Sequence, residues 1–456
     1  MSQEKFDEIV KAVQTIMEEQ KVPGITIGVV DGDQTYTTGL GVTNADNPLD
    51  VTNETLFQIG SATKTFTATA LMILAESGKI DFDAPVRQYL PDFKVADESV
   101  AAMATVRHLV THSAGWVGDV FDDTGNNDDA LRLYVDKMAE LEQLAPPDTL
   151  FSYNNAAFCV AGRVIEVITE KPYEEAIKEL IFEPLGLERS FFFPRDLVTF
   201  RFAVGHIVIE DQAKVQRPWA IPRSSNAAGG IACHVQDLLS YARFYMGDGT
   251  TADGTRLLSE ESMKLMQTPQ FPMNDEDGDI GLSWWIKEIN GIKTIGHGGG
   301  TLGQTCDFVI APQQKFAVAI LTNASQGGSA IKEGVKTALK EFLDIEDTPP
   351  TPIEATVEQL EVYVGKYTRP VMDTEVTLEG NRLIAQISTN SGIPTEEEAP
   401  APPPISMTLC GEDQLVVTEG MYKDMRVEFI RKEDGSIGWM RLGARINNRV
   451  EEEKES

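Results

Sequence analysis

The sequence predicts an α/β protein whose antiparallel sheet is assembled from both ends of one long unit, with a helical subdomain beside it and a small all-β barrel behind. Three observations carry this. A β-rich hairpin stands near the start, where Ile25-Thr26-Ile27-Gly28-Val29-Val30 is turned by Asp31-Gly32 into Gln34-Thr35-Tyr36-Thr37-Thr38. From about residue 61 to 270 the patterning is mostly helical, and strand signals return only at 293–296, 305–310 and 316–321. Strands at both ends of a helical stretch imply a sandwich with a helical insertion. Finally, an acidic, proline-rich run leads into short alternating segments, the pattern of a small antiparallel barrel or sandwich. The chain therefore divides into 1–345, a linker at 346–356, and 357–456.

The elements follow in order. Phe6, Ile9, Val10, Val13, Ile16 and Met17 recur at helical spacing, and Pro23-Gly24 breaks that helix ahead of the hairpin. Phe66, Ala70, Ile73 and Leu74 ahead of Gly78 mark a second helix; Val160, Val164, Val167 and Ile168 ahead of Lys171-Pro172 mark another. Ala311-Pro312-Gln313-Gln314 turns the last two strands, and a helix over 331–343 closes the unit. In the tail, Glu375-Val376-Thr377-Leu378, 382–387, Gln414-Leu415-Val416-Val417 and 426–430 read as strands, with Glu396 to Pro404 as a mobile loop.

The composition excludes several function classes. At 456 residues the chain exceeds one ordinary core, and 42% hydrophobic with 8% aromatic content is that of a globular protein. A formal net charge of −32 opposes phosphate backbones and anionic lipid, so neither nucleic acid nor membrane is expected as a partner. The charged amino terminus lacks the basic and apolar regions of a signal peptide, and the expected compartment is the cytoplasm. Cys159, Cys233, Cys306 and Cys410 are widely spaced and read as buried thiols.

Three distant runs carry the chemistry: Ser61-Ala62-Thr63-Lys64, Tyr153-Asn154-Asn155 and His297-Gly298-Gly299-Gly300. The Ser-x-x-Lys pattern alone is weak, because it recurs at Ser2 to Lys5 and Ser329 to Lys332. The order and surroundings of the triple are what weigh. Ser61 follows Gly60 and opens a helix, so its N–H belongs to the unpaired first turn, with Lys64 one turn later on the same face. A serine hydroxyl needs an adjacent acceptor to become a nucleophile. Lys64 can supply positive charge or, if desolvated, accept the proton itself; Tyr153, set against it, is expected to be pushed towards phenolate and to serve as a general base, while Asn155 binds a substrate carbonyl. The glycines after His297 let a substrate approach an edge strand, and a free N–H there joins that of Ser61 in an oxyanion hole.

These runs, together with Thr105 to Gly115, Pro184-Leu185-Gly186-Leu187, Ala228-Gly229-Gly230-Ile231 and Gly281-Leu282-Ser283-Trp284, resemble the penicillin-recognising serine hydrolases. That family includes class C β-lactamases, serine D-Ala-D-Ala peptidases, D-aminopeptidases and related esterases. The resemblance covers roughly residues 5 to 345 and implies a β-lactamase/transpeptidase-like fold. It is thinner in the tail, where Tyr363-Val364-Gly365-Lys366-Tyr367 is similar to a lipocalin-like barrel appendage that limits access to the cleft or mediates assembly into homo-oligomers. It implies Ser61, Lys64 and Tyr153 as catalytic residues, Asn155, His297 and Gly299 as substrate-binding, and Ser61 with Gly300 as the oxyanion hole.

His297 stands where the family has a lysine, exchanging a fixed cation for a group that can be neutral near pH 7. This favours a D-aminopeptidase-like peptidase or amidase, acting through an acyl-enzyme on a small peptide, amide or ester. Carboxylesterase or weak β-lactamase activity is the alternative, and a non-catalytic scaffold or binding protein of the same fold is a third reading. No cofactor is expected. His108 and His112 have the i, i+4 spacing of a zinc pair, but the Glu of His-Glu-x-x-His is missing, so no metal is expected either. Trp116, Trp284 and Trp285 either line the cleft or pack, and the acidic runs near 122, 128 and 275 read as solvated loops.

Overall fold

Alternation along two strands sets the layers. In the computed structural model, which describes residues 2–274, 278–346, 348–370, 372–389, 402–420 and 422–451, Ile25, Ile27 and Val29 of the Gly24–Asp31 strand face one way with Val318 and Ile320 of Phe316–Thr322. That face is covered by Phe6, Ile9, Val13 and Met17 of the first helix, Ser2–Glu19, and by Ile331 and Val335 of the closing helix, Gly328–Leu343. Burying each such side chain contributes roughly 1.5–3 kcal/mol. On the opposite face, Val30, Ala317, Ala319 and Leu321 join the larger core around helices Thr63–Glu76 and Val235–Tyr245. Gly28 is needed there, since a Cβ would lie 2.6 Å from Val235 and 2.8 Å from Leu239.

The antiparallel sheet draws on both ends of the unit. Its order is Gln34–Gly41, Gly24–Asp31, Phe316–Thr322, Gln304–Ala311, Ile292–Gly296, Trp285–Ile289, Gly278–Ile280 and Phe271–Asn274, with Gly299–Thr301 added on Gln304–Ala311. Register is set by apolar pairs such as Ile27 with Ile320 and Val29 with Val318. The three strands between 271 and 289 lie outside the expected set. They are short, the first two shift register against each other, and only Ile280 and Ile286 among their described apolar residues are deeply buried apart from Met273, so no period of two shows.

The tail closes into an eight-stranded barrel running from Gly365–Arg369 to Arg445–Arg449, the first strand pairing with the last. Tyr367, Leu383, Leu415, Phe429 and Met440 fill it. The barrel is hydrogen-bonded to the larger unit: Arg441 donates to the Phe151 carbonyl at 3.2 Å and the Met273 carbonyl at 2.7 Å, and Trp439 Nε1 to that of Leu144 at 3.3 Å. No helix among the described residues is long and apolar enough to cross a membrane.

Several local expectations change. Cys159, Cys233 and Cys306 are buried, but Cys410 is only half-buried. Trp116 and Trp284 pack in the core, whereas Trp285 lines the cleft. His108 and His112 do not share a helix face: the helix is Val106–Thr111, and His112 follows it in the left-handed region at φ 57°. His108 pairs with Asp148 at 2.7 Å instead. Most of the Glu396 to Pro404 run, and residues 275–277, lie outside the described residues.

Candidate active site

The site grows from a helix buried on nearly every side. Thr63–Glu76 has no polar face, and its threonines are satisfied locally: Thr65 donates to the Ala62 carbonyl at 2.8 Å, Thr67 lies 2.8 Å from the Tyr173 hydroxyl, and Thr69 lies 2.8 Å from that of Tyr241. Lys64, on the same helix, is completely buried. Its Nζ lies 3.0 Å from Ser61 Oγ, 2.7 Å from Asn155 Oδ1 and 2.6 Å from the Ala228 carbonyl. Ser61 occupies a one-turn 3₁₀ segment, Gly60–Ala62, that leads into the helix.

The second run is positioned by a helix cap. Asn154 accepts a hydrogen bond from the Ala157 N–H and starts the Asn155–Thr169 helix. This sets Asn155 in the first turn, with its amide engaged on both sides: Oδ1 accepts from Lys64, and Nδ2 donates to Asp119 Oδ1 at 2.9 Å. Tyr153, just ahead of the cap, lies under Lys64 Nζ, which is 5.0 Å from the ring centroid. His112 stacks on the phenol with centroids 4.3 Å apart, and its Nδ1 accepts from the Asn154 N–H at 2.9 Å.

The third run lies against the first. A Cβ at Gly299 would sit 1.9 Å from the Ile59 carbonyl and 2.8 Å from the Ser61 nitrogen; one at Gly60, where φ is +49°, would sit 2.5 Å from the Gly300 nitrogen. Glycine is therefore obligatory at both positions, because the two backbones touch. Ser61 and Gly300 both line the cleft where these backbones meet. His297 is buried at its entrance, its Nδ1–H donating to the Gly298 carbonyl at 2.5 Å. A carbonyl only accepts, so the proton sits on Nδ1, and Nε2 is left a buried acceptor with no hydrogen-bond partner among the described residues.

Electrostatics separate the two candidate acceptors. Burial, with a further contribution from the Arg445 cation, lowers the Lys64 amine to about 7, against the opposing effects of Cys159 and Asp119. Burial pushes the Tyr153 phenol up instead, outweighing its contact with Ser61 and the Arg445 cation. The phenol is thus held neutral, and the amine is the easier of the two to deprotonate. Of the two acceptors the sequence offers, a phenolate at Tyr153 rests on charge attraction and a neutral amine at Lys64 on desolvation, and burial favours the second. Burial, then the Lys64 charge, keeps His297 neutral down to about 3.

The structure brings together all seven predicted positions, Ser61, Lys64, Tyr153, Asn155, His297, Gly299 and Gly300. Ser61, Tyr153, Asn155, His297, Gly299 and Gly300 line a cleft of about 520 Å³. Residues that sequence reading missed share the cleft. The Gly443-Ala444 turn of the barrel enters it, Ala444 accepting from the Tyr153 N–H at 2.8 Å. Arg445 follows, its guanidinium 4.6 Å from the Tyr153 ring and its Nε donating to Asp119 at 2.7 Å; Arg369 reaches the same carboxylate at 2.9 Å. No local signal in the tail marks these arginines, since the barrel places them only after both units fold. No group of three or more side chains suited to a metal occurs among the described residues.

A buried amine beside a half-buried serine, with a glycine edge strand closing on both, fits a serine hydrolase of the β-lactamase and penicillin-binding-protein type. The chain belongs to the beta-lactamase family, whose model matches residues 9–340. It is 33% identical over 350 residues to penicillin-binding protein 4 of Amycolatopsis lactamdurans, covering 75% of this chain and 90% of that protein. The crystal structure of SurE superimposes with a TM-score of 0.78 at 24% identity, covering 99% of this chain and all of that one. The octameric penicillin-binding protein homologue from Pyrococcus abyssi gives 0.67 at 25% identity, over 97% of this chain and 99% of that one.

Proposed function

We propose that the protein is a serine hydrolase acting through an acyl-enzyme on small peptides or amides, in the manner of a D-aminopeptidase, with Ser61 as nucleophile and Lys64 as its base. One observation carries the reading. Of the three groups around Lys64 Nζ, Asn155 Oδ1 and the Ala228 carbonyl can only accept. A neutral amine has two N–H bonds and one lone pair. The protonated amine donates to all three oxygens; once it loses a proton, its two N–H bonds stay with those two acceptors and its lone pair is available to Ser61 Oγ, 3.0 Å away.

The reaction follows from this arrangement. Ser61 Oγ attacks the substrate carbonyl carbon as its proton passes to Lys64 Nζ, and the oxyanion is held by the Ser61 and Gly300 N–H groups. The neutral Tyr153 hydroxyl donates to the leaving nitrogen and is reprotonated from Lys64, so the C–N bond breaks and an ester on Ser61 remains. Water then adds to that ester, giving its proton back through the same groups, and releases the acid. Asn155 orients Lys64, and Gly299 lets the substrate lie along the edge strand. His297 offers an acceptor in place of a cation, which supports substrates presenting N–H donors over those ending in a carboxylate there.

Ser61→Ala is expected to lose both turnover and labelling by a fluorophosphonate probe. Hydrolysis undiminished in that variant would refute the mechanism. D- and L-aminoacyl anilides, p-nitrophenyl esters and nitrocefin, compared on one preparation, separate the peptidase reading from esterase or lactamase activity. The octameric archaeal homologue supports self-assembly as well, which size-exclusion chromatography with light scattering measures directly.

A further inference from the structure

The barrel does more than border the cleft. Its Gly443-Ala444 turn has φ of 59° and 67° and pairs with the tyrosine-bearing segment: Ala444 accepts from the Tyr153 N–H at 2.8 Å, and the Ile446 N–H donates to Ser152 Oγ at 3.3 Å. Arg445, between them, spans two groups of the site. One face of its guanidinium lies 4.6 Å from the Tyr153 ring centroid, and its Nε meets Asp119 Oδ2 at 2.7 Å. Asp119 is nine-tenths buried on its side chain and also takes Arg369 of the barrel at 2.9 Å. Its other oxygen holds the Asn155 amide, whose carbonyl in turn holds Lys64. An unbroken chain of contacts therefore runs from the barrel to the amine.

We infer that Arg445, together with Asp119, is a positioning pair for the Ser61–Lys64–Tyr153 group, fixing Asn155 and the Tyr153 ring and setting the local charge in which Lys64 loses its proton. The inference rests on the reading of Ser61 as nucleophile and Lys64 as base. The charged and titratable groups around Lys64 come from every neighbouring element: Tyr153 and Cys159 on either side of the helix start, Asp119 in the preceding loop, His112 behind the phenol, His297 from the edge strand, and Arg445 from the barrel. Buried Cys159 and the two histidines stay neutral near pH 7, because burial raises the thiol and lowers both imidazoles. Asp119 and Arg445 are thus the charges that act on Lys64, with opposite sign, and the Arg369 cation sits on the same carboxylate. Removing the cation raises the amine's pKa; removing the carboxylate lowers it.

The test uses the full chain and the pH dependence of fluorophosphonate labelling at Ser61, which reports activation of the serine without requiring a particular substrate. The labelling rate rises as Lys64 deprotonates. Arg445→Met is expected to move that rise to higher pH by about 0.5–1 unit, and Asp119→Asn to lower pH by a comparable amount. Arg445→Lys keeps the charge without the guanidinium fork, so its rise returns towards the wild-type pH at a lower plateau. Misfolding lowers the plateau without producing opposed shifts, and should Arg445→Met fail to fold, Arg445→Lys and Asp119→Asn carry the test. Curves that coincide with wild type, or that shift in the same direction, overturn the inference. Absence of label at Ser61 in the wild type would refute the nucleophile assignment itself, a different outcome.

Discussion

Ser61 Oγ and Lys64 Nζ stand 3.0 Å apart, and the lysine reaches that distance without a carboxylate in ion-pair contact among the described residues. Burial without a counter-ion is what lowers the amine to about 7. A base works deprotonated, so kcat/KM is expected to rise as pH passes through about 7. Lys64→Arg keeps a cation that cannot deprotonate and should lose about 10²–10⁴-fold in rate. Steady-state kinetics from pH 5 to 9 check both; an arginine variant with an unchanged profile would rule out Lys64 as base.

The same residue links stability to pH. Its folded-state value of about 7 lies below the ordinary 10.5, so between those limits the unfolded chain holds a proton that the folded chain lacks. This group therefore makes the protein more stable as pH rises through that window, by up to about 1.4 kcal/mol per unit, and contributes no pH dependence below it. Relative to Lys64→Met, the wild type is expected to gain stability from pH 7 to 10. Urea titrations of the two proteins across that range measure the difference.

Gly299 and Gly300 are adjacent but should respond in opposite ways. A Cβ at Gly299 would penetrate the Ile59 carbonyl at 1.9 Å, whereas one at Gly300 meets nothing closer than 3.9 Å. Gly299→Ala is expected to cost about 2–4 kcal/mol and to abolish labelling at Ser61. Gly300→Ala should unfold at the wild-type temperature. Differential scanning calorimetry distinguishes them.

His297 stays neutral down to about 3, so no activity limb from this group is expected between pH 5 and 8. His297→Gln retains an acceptor and should keep preference for substrates with an N–H donor. His297→Lys supplies a cation and should shift preference towards substrates bearing a carboxylate at that position. Ratios of kcat/KM for matched amide and carboxylate substrates measure the switch.

Ala444 sits at φ 67° in the barrel turn that enters the cleft. Ala444→Gly relieves the left-handed conformation and removes a methyl group from the cleft wall, so stability should rise by about 0.5 kcal/mol and longer substrates should be better accepted. Equal preference across a peptide-length series would show that the turn does not limit substrate size.

Much of the fold was legible because it rests on local patterns. The Gly24–Asp31 hairpin, the strands at 304–322 and the tail segments that close the barrel all carry β-branched runs bounded by turn residues. The Phe271–Asn274, Gly278–Ile280 and Trp285–Ile289 strands do not, being too short to show a period. At the site, the three motif runs could be read from residue type and order. Asp119 and Arg445 could not, since a lone Asp or Arg has no spacing that sets it apart, and the spacing of His112 from His108 gave no hint of its stacking on Tyr153.

Residue order alone thus determined the reactive set: a serine with a lysine one turn on, a tyrosine before a capped helix, and glycines where a strand must pass close. Only the tertiary structure sets the lysine and the tyrosine apart in how readily each loses its proton. Desolvation depends on everything packed around a group: the enclosing helices leave Lys64 easy to deprotonate, helped by Arg445 from a barrel nearly four hundred positions away in sequence, and keep Tyr153 hard to ionise despite that cation.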